Sequence, residues 1–468
     1  MKKLLSIIFL LTLSLTAYAQ EQPRLEASPD GHSLQWSNGD PFFYMADTAW
    51  ELIHRLDREE VDTYLKLRKT QGYNVIQTVV LSEFDGLNTP NAYGDKPFKG
   101  NHPSMMAHRE GEQNDYWDHI EYILSRATQM GIYVGLLPTW GHYLNDENPF
   151  FDKQSAAEYG RYMAERYGKY NVIWIVGGDR NPQGISKQEI IRSMAMAIRQ
   201  VDKNNLITFH PGGWQSSATW FHNDGWLDFN SRQSGYQREY NSHIETYKNY
   251  LLEPTKPVAD IEPQYEVVKA HDPFGKDYST AADARRSIYW AAFYGACGVA
   301  YGHNSVWQMY DPKNGFEPKF DPTSTWLETI KSGAGAEIPR LKDLLYSRPF
   351  FSRRPAPDLL IKEDDKVPGE GTSHIAALLD RNGSYAMIYN PGGQAFSING
   401  EMLKAKKLVA WWFDPQTGKV TKIDKIENGS APLRFTPPTP NKVKDWVLIV
   451  DDASKHYPTP AKKNRNLK

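Results

Sequence analysis

The stretch Asn171-Val-Ile-Trp-Ile-Val-Gly-Gly-Asp179 decides how this chain is read. Its apolar run is of strand length, rich in β-branched and aromatic residues, and stopped by two glycines, which is the pattern of a buried strand. It then ends in a carboxylate. A second run, Pro257-Val-Ala-Asp-Ile-Glu262, also ends in an acid and is closed by Pro263. Working outward from these two, six further short apolar runs complete a series, at 42–46, 74–81, 132–137, 206–210, 227–231 and 298–302. Helical patterns separate most of them. One runs from Arg58 to Gln71, opened by Asp57 and stopped by Gly72, and another from Asp115 to Met130, closed by Gly131. Others span Ser155 to Tyr167, Ser186 to Asp202, His243 to Leu252 and Ala281 to Ala296. Strands alternating with helices predict a parallel sheet. Eight such units over roughly 300 residues predict an α/β fold closed as a (β/α)8 TIM barrel. The rival is an open doubly wound sheet, but no Gly-x-Gly-x-x-Gly follows the first strand.

Outside the alternation the pattern changes. Leu25 to Trp36 predicts a β-hairpin turning at Asp30-Gly31. From Leu345 onward the strand candidates are short: 375–379, 385–389, 408–413, 420–423 and 446–450. Gly, Pro and Asn turns separate them, which predicts a small all-β sandwich. At the other end, Lys2 and Lys3 precede a nearly unbroken apolar run from Leu4 to Leu15, and Ala17-Tyr18-Ala19 fits a small-x-small cleavage site. The run is too short to span a bilayer, and no Cys follows it to carry a lipid anchor. The expected division is a signal peptide over 1–19, the barrel over 20–345, the β-sandwich over 346–455 and a basic tail over 456–468. Cleavage near Ala19-Gln20 would export the chain to a bacterial periplasm or beyond, without membrane insertion. The single Cys297 excludes a disulfide framework and reads as a buried thiol. A formal net charge of −2, made more negative by loss of Lys2 and Lys3, gives no electrostatic case for nucleic acid. The 13% aromatic content suits either a large core or stacking on sugar faces, and composition alone does not separate the two.

The C-terminal tips of barrel strands are where reacting groups sit. Two acids on opposite sides of one mouth suit glycoside hydrolysis, which needs a proton for the leaving oxygen and a nucleophile or activated water at the anomeric carbon. Asp179, after two glycines that let the backbone turn sharply, is the candidate acid/base; the alternative is a turn or helix-cap Asp. Glu262 is the candidate nucleophile. Asp260, two residues earlier, falls on the same face and deeper by alternation, as a buried support or as the functional acid in its place. The other tips carry candidate sugar-binding residues: Asp47, Trp50, Trp140, His142, Tyr143, Asn181, His210, Trp214, Gln233, Tyr236, His303, Trp307 and Gln308. No His-Glu-x-x-His, His-x-His or Cys pair offers a metal site, and no Gly-x-Ser-x-Gly elbow is present. Neither metal nor cofactor is expected; the partner is an oligosaccharide or polysaccharide.

At these residues the chain resembles the retaining (β/α)8 glycoside hydrolases, which carry the acid/base on strand four and the nucleophile on strand seven. That superfamily usually shows Asn-Glu at the strand-four tip, where this chain has Gly178-Asp179. More narrowly it resembles glycoside hydrolase family 140, the apiosidase-type enzymes. The resemblance rests on Gly39-Asp-Pro-Phe-Phe, Asp47-Thr-Ala-Trp50, Trp174-Ile-Val-Gly-Gly-Asp179 and His210-Pro-Gly-Gly213, and extends over nearly the whole mature chain. It implies retaining cleavage of bonds to apiose in pectic side chains. The C-terminal part resembles a module labelled collagen-binding. Two other function classes stand beside this one. A non-catalytic glycan-binding barrel is opposed by the presence of both acids. A collagen-directed protease or adhesin is opposed by the missing metal motif and nucleophile triad.

Overall fold

The computed structural model describes residues 23–461 apart from 101, 237–241, 270–276, 363–368, 370, 430–431 and 441–443. The expected signal peptide with its cleavage site, and the last seven residues of the expected tail, lie outside the described residues. Eight parallel strands form the barrel: β1 Tyr44–Thr48, β2 Val75–Val79, β3 Tyr133–Leu137, β4 Val172–Gly177, β5 Ile207–His210, β6 Asn230–Gln233, β7 Val258–Asp260 and β8 Gly298–Tyr301. Ladders run from β5 back through β4, β3 and β2 to β1, then on through β8 and β7 to β6. The remaining seam, between β5 and β6, is closed mostly through side chains. Asp228 accepts the Ile207 N–H at 2.7 Å and donates its own N–H to the Ile207 carbonyl at 3.0 Å; Thr208 Oγ1 donates to the Phe229 carbonyl at 2.7 Å. A short strand, Gln215–Ser216, lies antiparallel against β6 and carries the preceding residue, Trp214, at the mouth.

The helices follow their sequence signals closely. Arg58–Gln71 has the Asp57 capping box with Glu60 and ends at Gly72, whose φ of +108° suits glycine alone. Tyr116–Gln129 is capped by Asp115, and Ala281–Phe293 by Thr280. Two strands depart from expectation. The first runs two residues later than the apolar run, because Pro41–Phe42 joins the N-terminal hairpin (Leu25–Ala27, Leu34–Trp36) as its third strand. The sixth was expected at 227–231, but Leu227 and Phe229 are the buried approach to it and the strand itself is Asn-Ser-Arg-Gln. A barrel strand whose side chains bond one another and its neighbours has no apolar signature. The N-terminal sheet sets Trp36 and Phe42 against Tyr133 at the start of β3, ring centres 5.7 and 5.8 Å away, and so covers the end opposite the mouth.

After the helix Arg340–Leu345 the chain enters the β-module. Six strands form one antiparallel sheet in the order 353–355, 376–380, 385–390, 446–452, 407–413 and 420–427, and 396–398 pairs with 433–435 as a separate ribbon. One sheet face packs with the ribbon through Ile388, Phe396 and Phe435. The other face, with Met387, Tyr389 and Ile449, packs on Ile288, Tyr289 and Phe293 of the barrel helix Ala281–Phe293. Arg285 of that helix is buried and bonds Asp445 of the module at 2.9 and 3.0 Å. Among the described residues no helix is long and apolar enough to cross a membrane.

Candidate active site

Asp179 owes its position to the turn before it. Gly177, Gly178 and Asp179 all have positive φ, of +89°, +145° and +42°. A Cβ at Gly177 would collide with the Phe209 ring, and one at Gly178 would lie 2.8 Å from Trp140 Cε3. The glycines are therefore required by both conformation and space. Asp179 itself carries left-handed strain, of a kind that clusters at functional sites. Its side chain keeps 34% of its surface open, yet the crowding around it makes burial dominate. Burial first, and the Glu262 charge second, raise its carboxyl from 3.8 to about 6, against the opposing pull of His210, Gln233 and Arg180.

Glu262 lies two residues past the end of β7, in a bend. The Ile261 N–H donates to the Arg232 carbonyl at 2.9 Å, and Gln77 Nε2, inside the barrel, donates to the Ile261 carbonyl at 3.0 Å. These bonds fix the backbone just before the acid. Three donor-bearing groups face the Glu262 carboxyl. Gln233 Nε2 lies 3.0 Å from Oε1, the Tyr236 hydroxyl donates to the same oxygen, and His210 Nε2 lies 3.0 Å from Oε2. That set suits a carboxylate. His210 is fully buried, and burial by itself would lower its pKa. Glu262, with Asp179 behind it, reverses this and holds the imidazole above its ordinary value. Its Nδ1 is 2.8 Å from the Pro211 carbonyl and 3.3 Å from the Asp179 N–H, and the shorter contact puts a proton on Nδ1.

Around this pair the structure gathers several of the predicted residues. Trp50 and Trp140 wall His210 with ring centres 5.5 and 6.0 Å away. Trp214 stands at the rim, 42% exposed, its backbone N–H bonded to the Gln233 carbonyl. Tyr143 and Asn181 position backbone: Tyr143 donates to the Ser82 carbonyl at 3.1 Å, and Asn181 accepts the Gly212 N–H at 2.9 Å. His142 is half-buried against Tyr143, and Trp307 packs between Phe84 and Phe320.

Other predicted residues lie elsewhere. Asp47 is on the outer face of β1, wholly buried, its Oδ2 bonded to Arg68 Nε at 2.6 Å and to the Tyr64 hydroxyl. Alternation along β1 sends Tyr44 and Ala46 inward and so turns Asp47 toward the helices, with no surface for a sugar. Gln308 is also enclosed, bonding Asn304 and both backbone groups of Lys319. His303 caps the helix Asn304–Trp307 through a 3.1 Å bond, and burial lowers its pKa to about 3. Asp260 does not share Glu262's face. It pairs in register with Arg232, whose Nη1 reaches outward to Ser242 and Thr246 at 3.0 and 3.1 Å. The bend after β7 breaks the alternation on which the expectation rested. Burial raises the Asp260 carboxyl, and Arg232 is the first group to offset it.

Two mouth residues went unread in the sequence. Glu83, four residues past β2, lies 3.4 Å from Arg180 Nη2, and Arg180 Nη1 lies 3.3 Å from Asp179 Oδ2. Burial, then the Asp179 charge, raise Glu83 to about 7. An acid just beyond a strand tip was the available signal, hidden by the long loop that starts there.

Residues 28–352 match the family model of the apiosidase-like catalytic domain. The chain belongs to that family. Residues 355–451 match a second model, named for the collagen-binding domain of a collagenase. A solved glycoside hydrolase is 32% identical, with 93% of this chain and 98% of that one covered at a TM-score of 0.85. The crystal structure of a glycoside hydrolase family 5 protein from Bacteroides vulgatus is also 32% identical, with 93% and 94% covered at 0.84. An endoglucanase from Clostridium saccharobutylicum is 27% identical over 194 residues, 40% of this chain and 37% of that protein. The chain thus spans little more than a third of that curated relative. This apiosidase-like chain is a glycoside hydrolase with a barrel and a C-terminal all-β module.

Proposed function

We propose that this glycoside hydrolase is exported, by way of the N-terminal segment, and cleaves bonds to apiose in pectic glycans with retention of configuration. Asp179 is the acid/base and Glu262 the nucleophile. The observation that carries the reading is the contrast between two neighbouring carboxyls. Glu262 is ringed by hydrogen-bond donors, whereas Asp179 is raised to about 6, so Asp179 is the one built to carry a proton toward neutral pH.

In the first step Asp179 protonates the glycosidic oxygen as the Glu262 carboxylate attacks the anomeric carbon; the C–O bond breaks and a glycosyl ester forms on Glu262. In the second, the Asp179 carboxylate takes a proton from water, whose oxygen displaces Glu262. The donors Gln233, Tyr236 and His210 aim the nucleophile. Trp214 supplies an exposed ring for stacking. The family name supports apiose, and the pectic substrate rests on the resemblance of the sequence to the apiosidase-type enzymes.

The test compares an apiose-bearing pectic oligosaccharide with 4-nitrophenyl apioside. Asp179→Ala is expected to cut kcat/KM on the oligosaccharide about 10²–10⁴-fold while sparing glycosylation by the aryl glycoside, whose leaving group departs without a proton. Azide should restore turnover, giving a glycosyl azide of retained configuration. Equal losses on both substrates with no azide effect would remove Asp179 from the acid/base role, and an initially inverted sugar in the product NMR spectrum would remove the nucleophile from the mechanism.

A further inference from the structure

One guanidinium at the mouth serves two carboxylates. Arg180 Nη1 lies 3.3 Å from Asp179 Oδ2 and donates to the Asp179 carbonyl at 2.7 Å, while Nη2 lies 3.4 Å from Glu83 Oε1. Glu83 and Arg180 keep 29% and 42% of their side-chain surfaces open, so neither is locked into the core. The geometry points to Glu83 as a positioning residue for the proton donor: across Arg180 it titrates together with Asp179, and the pair holds the surplus proton of the site where Asp179 delivers it. This rests on the acid assignment above.

The charges at the mouth do not cancel. Asp179, Glu83 and Glu262 are three acids converging from β4, β2 and β7. The cation between Asp179 and Glu83 is Arg180, whereas His210 faces Glu262, its Nε2 3.0 Å from Oε2. Arg180 can balance only one of the remaining two, so one proton is retained between Asp179 and Glu83. The other groups facing them do not change this balance. Gln233 and the Tyr236 and Tyr265 hydroxyls are neutral, and His142 beside Arg180 is lowered by burial. Glu51 adds a further negative charge on the Glu83 side, though Arg55 lies 3.7 Å from it. Burial and mutual repulsion raise both carboxyls, Asp179 to about 6 and Glu83 to about 7, and two sites so coupled lose their protons as a pair. A lone aspartate with its own arginine would ionise at lower pH. The second carboxyl therefore extends the acid form of Asp179 upward, and once Asp179 has given up its proton, Arg180 is already in place beside the new carboxylate.

The test is the basic limb of the pH profile of kcat/KM on the apiose-bearing oligosaccharide. Glu83→Gln keeps the shape of the side chain, removes one titration and leaves Arg180 to Asp179 alone. The limb is expected to move about one unit toward acid. Arg180→Gln removes the shared cation and should move it about one unit the other way. Neither shift should be seen for glycosylation by 4-nitrophenyl apioside, which needs no proton donor. If both variants fold, as judged by circular dichroism, and both leave the limb within about 0.2 unit of the parent, Glu83 does not act on the proton and the inference falls. Parallel shifts of the two variants, or equal shifts on both substrates, would overturn it as well. Asp179→Ala on the same two substrates separates this failure from failure of the acid assignment: a selective loss there with no shift for Glu83→Gln sinks this inference alone.

Discussion

Asp179→Asn should make the protein more stable above neutral pH while disabling its chemistry. In the folded protein the Asp179 carboxyl is raised from 3.8 to about 6, so the fold opposes its ionisation. A shift of about 2 units corresponds to about 3 kcal/mol. The side chain is 34% open, and solvent screening reduces this to about 1–2 kcal/mol. The folded state binds more protons than the unfolded chain between 3.8 and 6, so stability falls as pH rises through that window. Below pH 3.8 the group is neutral in both states and the penalty is absent; above 6 it is present in full. Asn removes the charge, nearly matches the shape and tolerates the φ of +42°, so it introduces no new backbone strain. Thermal unfolding followed by circular dichroism should show Asp179→Asn melting roughly 1–3 °C above the parent at pH 8, with no difference at pH 3.5. At pH 6, kcat/KM on the oligosaccharide should fall at least about 10²-fold. An equal gain at both pH values would mean that the effect is not electrostatic. No gain at pH 8 would mean that the fold does not oppose the charge, and the raised Asp179 carboxyl on which the acid role rests would be lost with it.

Asp47→Ala strips a buried arginine of its carboxylate, leaving Arg68 with Gln71 and the Ile330 carbonyl; a loss of about 3–5 kcal/mol is expected in denaturant unfolding with KM unchanged, and the reverse result would return Asp47 to the sugar-binding set. Glu262→Gln should remove nearly all turnover on both substrates, and activity within a few-fold of the parent would disqualify it as nucleophile. Gly178→Ala, forced to φ +145° and against Trp140, should cost about 1–3 kcal/mol and lower kcat more than it raises KM, because the turn that it strains carries Asp179. Chelation with EDTA should leave kcat/KM unaltered; a loss restored by a divalent ion would require a metal in the mechanism.

Much of the barrel was legible because burial on both faces writes itself into composition. β4 is Val-Ile-Trp-Ile-Val-Gly, and no reading of that run avoids a central strand. The helix ends were legible for a different reason: Asp57, Asp115 and Gly72 satisfy backbone groups that a helix leaves open, so the signal is local. β6 was misplaced because its Asn-Ser-Arg-Gln side chains find partners across the seam and on the next helix, which no local pattern encodes. Asp47 and Asp260 were misread for a related reason. Each stands near a strand end, but which face it takes depends on where the strand begins and where it bends.

By itself, then, the order of residues determined the alternation of strands and helices, the eightfold count, the change to an all-β module and the two acids at the strand ends. All of these follow from short-range rules, since periodicity, capping and turn chemistry act within a few residues. Only the tertiary structure decided that His210 and Gln233 serve Glu262, that Asp179 is raised toward neutrality, that Asp47 belongs to Arg68, and that Glu83 meets Arg180. Those outcomes depend on distances between residues far apart in sequence and on how much water reaches them. Charge interactions and desolvation are set by that three-dimensional arrangement, and a linear pattern carries no record of it.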